Sequence, residues 1–350
     1  MSASVPSTMR ASVLLAAEKI ELQERPVPVP APDEVLVKVT AVGVCGSDVH
    51  FFKDGRLGDW VAEEPLVLGH EAGGTIVAVG SGVNPARVGE RVSVEPQHPS
   101  TTSRETLRGA YNLDPGMRFF AIPRTGGVPG TDGAFQEYVT IQSHFAYAVS
   151  DAVSDDAAGL MEPLSVAVAT AQKAGFTAGS RVLIAGGGAI GVVTAQVAAA
   201  HGAREIIVTD VSAERRDQAL SFGATRVIDP NAEDVSELGL DVDAFVDACG
   251  VASAVASGFR AVRPGGSVVL VGMGPAEIPL PIAVIQSHEL LVTGLFRYAN
   301  TWPTAIGLVE SGKVDLDRMV TGHYGLGQVA EALGSTSLPG VLKSVVVPTR

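Results

Sequence analysis

The stretch "RVLIAGGGAIGVV", residues 181–193, reads as a short apolar strand, a glycine turn and the start of a helix. Gly186, Gly188 and Gly191 stand in G-x-G-x-x-G spacing, with Ala189 and Ile190 between the last two. Three glycines alone are a weak signal. Between a strand and a helix they have the context that a dinucleotide-binding turn requires. The first glycine permits the tight turn, the second lets a pyrophosphate approach the backbone, and the third lets the helix pack on the strand. The N–H groups at the helix start then face the anion. Asp210, which closes "EIIVTD", occupies the position of the acidic residue that follows such a turn. A carboxylate there accepts hydrogen bonds from the adenosine ribose and repels a 2′-phosphate, so NAD is expected over NADP. Arg215 nearby can stack on adenine or pair with a phosphate, which softens that preference.

Outward from this turn the texture is regular. "RVLIAG", "EIIVTD", "TRVID", "VDAFVDACG" and "GGSVVLVG" are short apolar strands, and Ala-rich or amphipathic segments separate the first three. Such alternation specifies a doubly wound parallel sheet covered on both faces, an α/β cofactor domain of Rossmann type. It begins near residue 158 and fades near "LLVTGLFRY", so 158–297 is assigned to it. Residues 1–157 contain "EVLVKVTAVGV", "GGTIVAVG" and "ERVSVEP", β-branched runs broken by Gly, Pro and Asn. Residues 298–350 end in the strand-like "KSVVVP". The cofactor domain is thus expected as an insertion into a β-rich domain, 1–157 and 298–350, built from both ends of the chain.

The bulk properties exclude several classes. A net charge of −13 and the lack of a Lys/Arg-rich stripe argue against nucleic-acid binding. No uninterrupted apolar run reaches the ~18 residues of a membrane span, and "ASVLLAAEKI" reads as a strand rather than a leader. Two cysteines form no disulfide framework. A cytoplasmic protein without a membrane partner is expected.

One of those cysteines, Cys45 in "AVGVCGSDVH", offers a thiolate, and "PLVLGHEAGG" offers His70 and Glu71. Thiolate, imidazole and carboxylate together suit Zn²⁺, and three protein ligands with one open position form a catalytic arrangement, not a structural one.

"GHEAGGTIVAVGSGV" fits the zinc alcohol dehydrogenase signature, and the chain resembles the sorbitol and xylitol (polyol) dehydrogenase branch of that medium-chain family. The segments "CGSDVHFFKDGRLGDW", "YNLDPGMRFFAIP", "MEPLSVAV" and "LFRYANTWP" carry the resemblance across nearly the whole chain. It implies a GroES-like catalytic domain beside the Rossmann domain. It also implies zinc on Cys45, His70 and Glu71, with Glu162 contacting the metal-bound water or the metal. Asp48 is implied as the carboxylate that orients the histidine ligand, and Ser47 and His50 as a proton relay to solvent. Val271, Met273 and Phe296 are implied on the nicotinamide side. Arg297 lies there too and, with Tyr298, belongs to the polyol pocket, which Phe51 and Phe119 also line.

Two departures from the family matter. A second, structural zinc in many relatives uses four cysteines, and here Ser100, Ser103, Thr106 and Asp114 stand at those spacings. Hydroxyls are poor zinc ligands, so one zinc per chain is expected, with the loop held by its own hydrogen bonds and with Arg104, Glu105 and Arg108 pairing with each other or, since exposed pairs contribute only ~0–1 kcal/mol each, preferably with a neighbouring subunit. Phe51 and Phe52, and Ile122 in "FFAIP", replace residues that commonly carry hydroxyls, which makes the pocket less polar than a sorbitol site. Cys249 is expected as a small buried residue near the cofactor. The expected activity is NAD-dependent oxidation of a polyol secondary hydroxyl to a ketose. A vicinal diol, a simple secondary alcohol or L-threonine is the alternative substrate. A homotetramer or dimer is implied by the resemblance alone.

Overall fold

The structure, a computed structural model, describes residues 5–350. The chain divides into two compact units: one runs to Glu162 and resumes at Leu316–Arg350, and the other is Pro163–Asp315.

The first unit is built around the strand Glu34–Gly43, which is buried along most of its length. Its β-branched residues suit a position between two neighbours. On one edge it pairs antiparallel with Glu71–Val79. On the other it takes Tyr138–Gln142 along its first half and Lys343–Val346, from the far end of the sequence, at Val42 and Gly43. Arg91–Val94, Ala146–Ala148 and Val320–Tyr324 complete this seven-stranded sheet. Thr8–Ala16 forms a strand of a separate small sheet. The β-rich reading of both chain ends therefore holds, and closure of the sheet by the C-terminal strand explains why the ends belong together.

The second unit is a six-stranded parallel sheet in the order Arg226–Ile228, Glu205–Thr209, Arg181–Ala185, Val242–Asp247, Val262–Leu270, Leu291–Gly294. In chain order that is 3-2-1-4-5-6, the doubly wound order of dinucleotide-binding sheets. Leu183, Ile207, Phe245, Phe259 and Val268 lie in one of its core clusters; full burial of each such side chain contributes roughly 1.5–3 kcal/mol. The segment 298–315, assigned from sequence to the first unit, lies in the second. Its helix Trp302–Glu310 places Trp302 edge-on against Tyr298 at 5.0 Å, and both rings are buried. The Gln196 side chain, on the helix Ala189–Ala200, donates to the Asp315 carbonyl and accepts from its N–H, which ties the end of the segment to the cofactor unit, and the boundary falls after Asp315.

Candidate metal centre and cofactor turn

Cys45 sits at the N-cap of the helix Gly46–Asp54, directly after the central strand. Its backbone N–H donates to Asp48 Oδ2 at 3.0 Å, and the other oxygen of Asp48 accepts from the Gly69 N–H at 2.9 Å. One buried carboxylate thus ties the cysteine loop to the histidine loop. The same Oδ1 lies 3.5 Å from His70 Nδ1, which leaves Nε2 of His70 as the nitrogen for a ligand. Glu71 opens the next strand and pairs across the ladder with Gly43. The ligand atoms of Cys45, His70 and Glu71 lie within 4.8 Å of one another, the only such group of three among the described residues.

The chemistry of this set fits a divalent cation. Glu71 is 1% exposed, and its Oε2 is buried without a hydrogen-bond partner. Its other oxygen accepts from Lys343 Nζ at 2.6 Å. An orphaned carboxylate oxygen costs about 1–3 kcal/mol or more unless something positive meets it. Burial opposes a charged His70 ring, yet Asp48 and Cys45 outweigh burial and raise its proton affinity well above the ordinary range. Burial likewise opposes a charged Lys343, and Glu71 and Cys45 hold its proton more tightly than usual. The local field favours a cation at this point, and the donors are those Zn²⁺ prefers.

Around the cluster, the Phe119 ring is 5.6 Å from that of His70. Ser47 is half-buried in the first turn of the helix. His50 is exposed, with Nδ1 3.3 Å from Asp54 one turn on. Phe51 is buried in the core at 1% exposure, on the same helix face as Asp48, and Phe52 is half-buried. Glu162 is buried in the first turn of Met161–Ala174. It stands outside the group of three, and its charge reaches Glu95 and Lys343.

The positions expected to have lost a structural metal are joined by hydrogen bonds. Asp114 accepts from the backbone N–H groups of Ser100 and Gly116. Ser103 caps the helix Arg104–Leu107 and donates to the Thr106 hydroxyl at 2.9 Å. Among the described residues no ion pair joins Arg104, Glu105 and Arg108 to one another, so the pairing expected within the chain is corrected. Caps and the Asp114 carboxylate satisfy backbone donors directly, whereas exposed ion pairs contribute only ~0–1 kcal/mol each.

In the second unit the glycines serve three separate purposes. Gly186 has φ +104°, which only glycine adopts freely. A Cβ on Gly191 would lie 1.8 Å from the Gly186 carbonyl oxygen, so no other residue lets the helix Ala189–Ala200 sit so close to its strand. A Cβ on Gly188, the helix N-cap, would meet no protein atom within 4 Å. The space over the helix start is open, as an approaching pyrophosphate requires. Gly186, Gly188, Asp210 and Arg215 line a cavity of about 760 Å³. Asp210 is buried; it accepts from Gly187 N–H and Ser212 N–H, each at 2.8 Å, with Arg215 at 3.8 Å. Cys249 is half-buried in the cavity wall; burial, with the nearby Asp247, pushes its thiol up to about 11, which favours the protonated form near neutral pH. Ala189 and Ile190 lie in the first turn of the helix. Val271, Met273, Phe296 and Arg297 do not line the cavity. Met273 and Phe296 are exposed, and the Arg297 guanidinium lies 4.7 Å from the centre of the Phe296 ring.

Three contributors escaped the sequence reading. Lys343 is separated from Glu71 by most of the chain. Gly43 is needed because a Cβ there would fall 1.9 Å from Glu71 Oε2. Asp247, 2% exposed, accepts from the N–H groups of Cys249 and Gly250 and shapes the cofactor cavity. Only the glycine in "AVGVC", an unusual residue in a buried strand, carried a signal.

Comparison with known proteins agrees with this geometry. Residues 31–151 match the alcohol dehydrogenase GroES-like domain and residues 189–311 match the zinc-binding dehydrogenase family. The chain is 38% identical to sorbitol dehydrogenase of Gallus gallus over 93% of its length and 92% of the relative's. It is 38% identical to that of Bacillus subtilis (strain 168), covering 95% of each. Among solved structures, an alcohol dehydrogenase from Escherichia coli CFT073 complexed with NADH superposes with TM-score 0.89 at 28% identity, covering 98% of this chain and all of that one. 2R,3R-butanediol dehydrogenase from Bacillus subtilis gives TM-score 0.87 at 28% identity, covering 97% and 99%. No helix among the described residues is long and apolar enough to cross a membrane.

Proposed function

The chain belongs to the zinc-binding medium-chain dehydrogenases, and on that premise we propose that it oxidises a secondary hydroxyl of a polyol to a ketose with NAD, and runs the reverse. The observation that carries the reading is the Cys45, His70 and Glu71 cluster with its orphaned buried oxygen. The sorbitol dehydrogenase relatives direct the choice of substrate class.

Cys45, His70 and Glu71 would hold one Zn²⁺ per chain, and the glycine turn with Asp210 would hold NAD. Bound there, the metal supplies Lewis acidity to the substrate oxygen and the nicotinamide accepts the hydride. Asp48 fixes the His70 ring through Nδ1 and keeps its other nitrogen turned to the ligand. Lys343 neutralises one oxygen of Glu71, so the cluster does not carry the full charge of two acids and a thiolate. Ser47 and His50 share one helix, with the serine partly covered and the histidine in solvent. In this reading they pass the substrate proton outward, and Glu162 assists at the open metal position. Phe119 beside His70 supplies an apolar wall. Arg297, with Tyr298, donates to neighbouring substrate hydroxyls. Val271, Met273 and Phe296 attend the nicotinamide. The protein is read as a cytoplasmic homo-oligomer, a tetramer or dimer.

A second reading takes a smaller, less polar vicinal diol as substrate. The apolar Phe52 and Ile122 favour it, as does the likeness to butanediol dehydrogenase. A screen of NAD reduction across polyols, simple diols, secondary alcohols and L-threonine, with and without a chelator, separates the readings. Polyol turnover that stops on metal removal is expected. Undiminished turnover in the fully stripped protein contradicts the metal assignment, and turnover of diols alone moves the assignment to the second reading.

A further inference from the structure

We propose that Arg216, which does not itself line the cofactor cavity, positions Asp210 and so sets the preference for NAD over NADP. The inference deepens the catalytic reading and rests on its assignment of Asp210 to the adenosine ribose.

Arg215 and Arg216 are neighbours on the helix Ala213–Ser221, and adjacent helical residues do not share a face. Arg215 is half-exposed, lines the cavity and lies 3.8 Å from Asp210 Oδ2. Arg216 is mostly covered and holds backbone instead. Its Nη1 donates to the Asp210 carbonyl at 2.8 Å and to the Val211 carbonyl at 3.1 Å. The same nitrogen lies 3.2 Å from Asp229 Oδ2.

Asp229 follows the strand Arg226–Ile228 and organises the next loop. Its Oδ1 accepts from the Asn231 N–H, and its carbonyl accepts from the N–H groups of Ala232 and Glu233. Asp210 and Val211 line the cavity, and so do Asn231, Ala232 and Glu233. One guanidinium nitrogen therefore fastens together two cavity loops that leave neighbouring parallel strands.

The placement of Asp210 decides cofactor choice because Arg215 works against it. A cation beside the ribose attracts a 2′-phosphate, and the Asp210 carboxylate opposes that attraction. Repulsion between two anions weakens with distance, and O–H···O bonds to ribose hydroxyls span only about 2.5–3.0 Å. The discrimination thus depends on where the carboxylate is held. One of its oxygens is held by the Ser212 N–H, but Ser212 belongs to the same loop and moves with it. The Asp210 N–H reaches the Ile228 carbonyl at a long 3.3 Å. Arg216 anchors the loop through both of its carbonyls from the helix behind it.

The test is calorimetric titration of the zinc-loaded protein with NADH and with NADPH, in a cycle of four chains: wild type, Asp210→Ser, Arg216→Met and the double variant. In the wild-type background, Arg216→Met is expected to lower the ratio of NADH to NADPH affinity at least fivefold. In the Asp210→Ser background it lowers the ratio less than twofold, because the residue it positions is already gone. If Arg216 acted only as a distant cation, its loss would weaken NADPH more and the ratio would rise. A ratio that rises or stays unchanged overturns the proposal, as does an equal fall in both backgrounds. Arg216→Gln loses the pair with Asp229 but keeps a neutral donor, and it is measured on the same cycle in case the methionine variant does not fold. A fall of at least twofold is expected, and no fall overturns the proposal. Asp210→Ser tells the two failures apart. An unchanged ratio there refutes the ribose contact and this inference with it, whereas a lowered ratio there with none in Arg216→Met refutes the role of Arg216 alone.

Discussion

Gly43 has no side chain, and for that reason the Glu71 carboxylate has room to face Cys45 and His70. Gly43→Ala is expected to lower zinc affinity at least tenfold without touching a ligand, because the added methyl falls on Glu71 Oε2. Equilibrium competition with a chelator measures it, and unchanged affinity would show that the carboxylate has another place to go. At the cofactor turn the decisive residue is Asp210, pinned by two backbone donors. Asp210→Ser removes the charge that repels a 2′-phosphate, so the ratio of NAD to NADP affinity should fall at least tenfold. An unchanged ratio would refute the ribose-contact role. Both the glycine turn and the His70–Glu71 pair are contiguous in sequence, which is why they were legible. Lys343 was not, since nothing local marks a lysine in "LKSVVVP" as buried. Its cost of burial is met by partners far away in the chain, the Glu71 carboxylate and the Val44 carbonyl.

At the scale of elements, the loop after Arg91–Val94 is anchored by Glu95. This carboxylate is fully buried and accepts from Tyr111 Oη at 2.9 Å and Gln97 Nε2 at 2.7 Å. Burial, the largest influence, pushes it up to about 7 despite these donors. A carboxyl raised on folding stabilises the fold while it stays protonated. That contribution is complete below its ordinary value near 4.5 and is lost as pH rises through 7. Wild type should therefore lose stability relative to Glu95→Gln between pH 5 and 8, by up to about 3 kcal/mol. Denaturant unfolding of the two proteins across that range measures it, and parallel curves would contradict it. The sequence placed the main strands of both units, because β-branched runs bounded by glycine leave few alternatives. It did not show that Trp302–Glu310 stays with the cofactor unit, because the bonds that tie the segment's end to it, between Gln196 and the Asp315 backbone, join distant residues that periodicity does not register.

Across the whole molecule, the proposed function gives each unit one half of the reaction. The β-rich unit concentrates thiolate, imidazole and carboxylate at a single point, and the parallel-sheet unit opens a helix N-terminus to a dinucleotide. The fold was legible because both halves use local signatures. The substrate was not, because the residues proposed to choose it, such as Phe119 and Arg297, are scattered single positions. The central claim is that one zinc per chain sits on Cys45, His70 and Glu71 and that the former cysteine loop carries none. Metal content of the purified protein, measured beside Cys45→Ser, tests it most directly. The account predicts one tightly bound zinc per wild-type chain and none in the variant, with NAD binding unchanged. Two zincs per wild-type chain, or a variant that keeps its zinc, would contradict it.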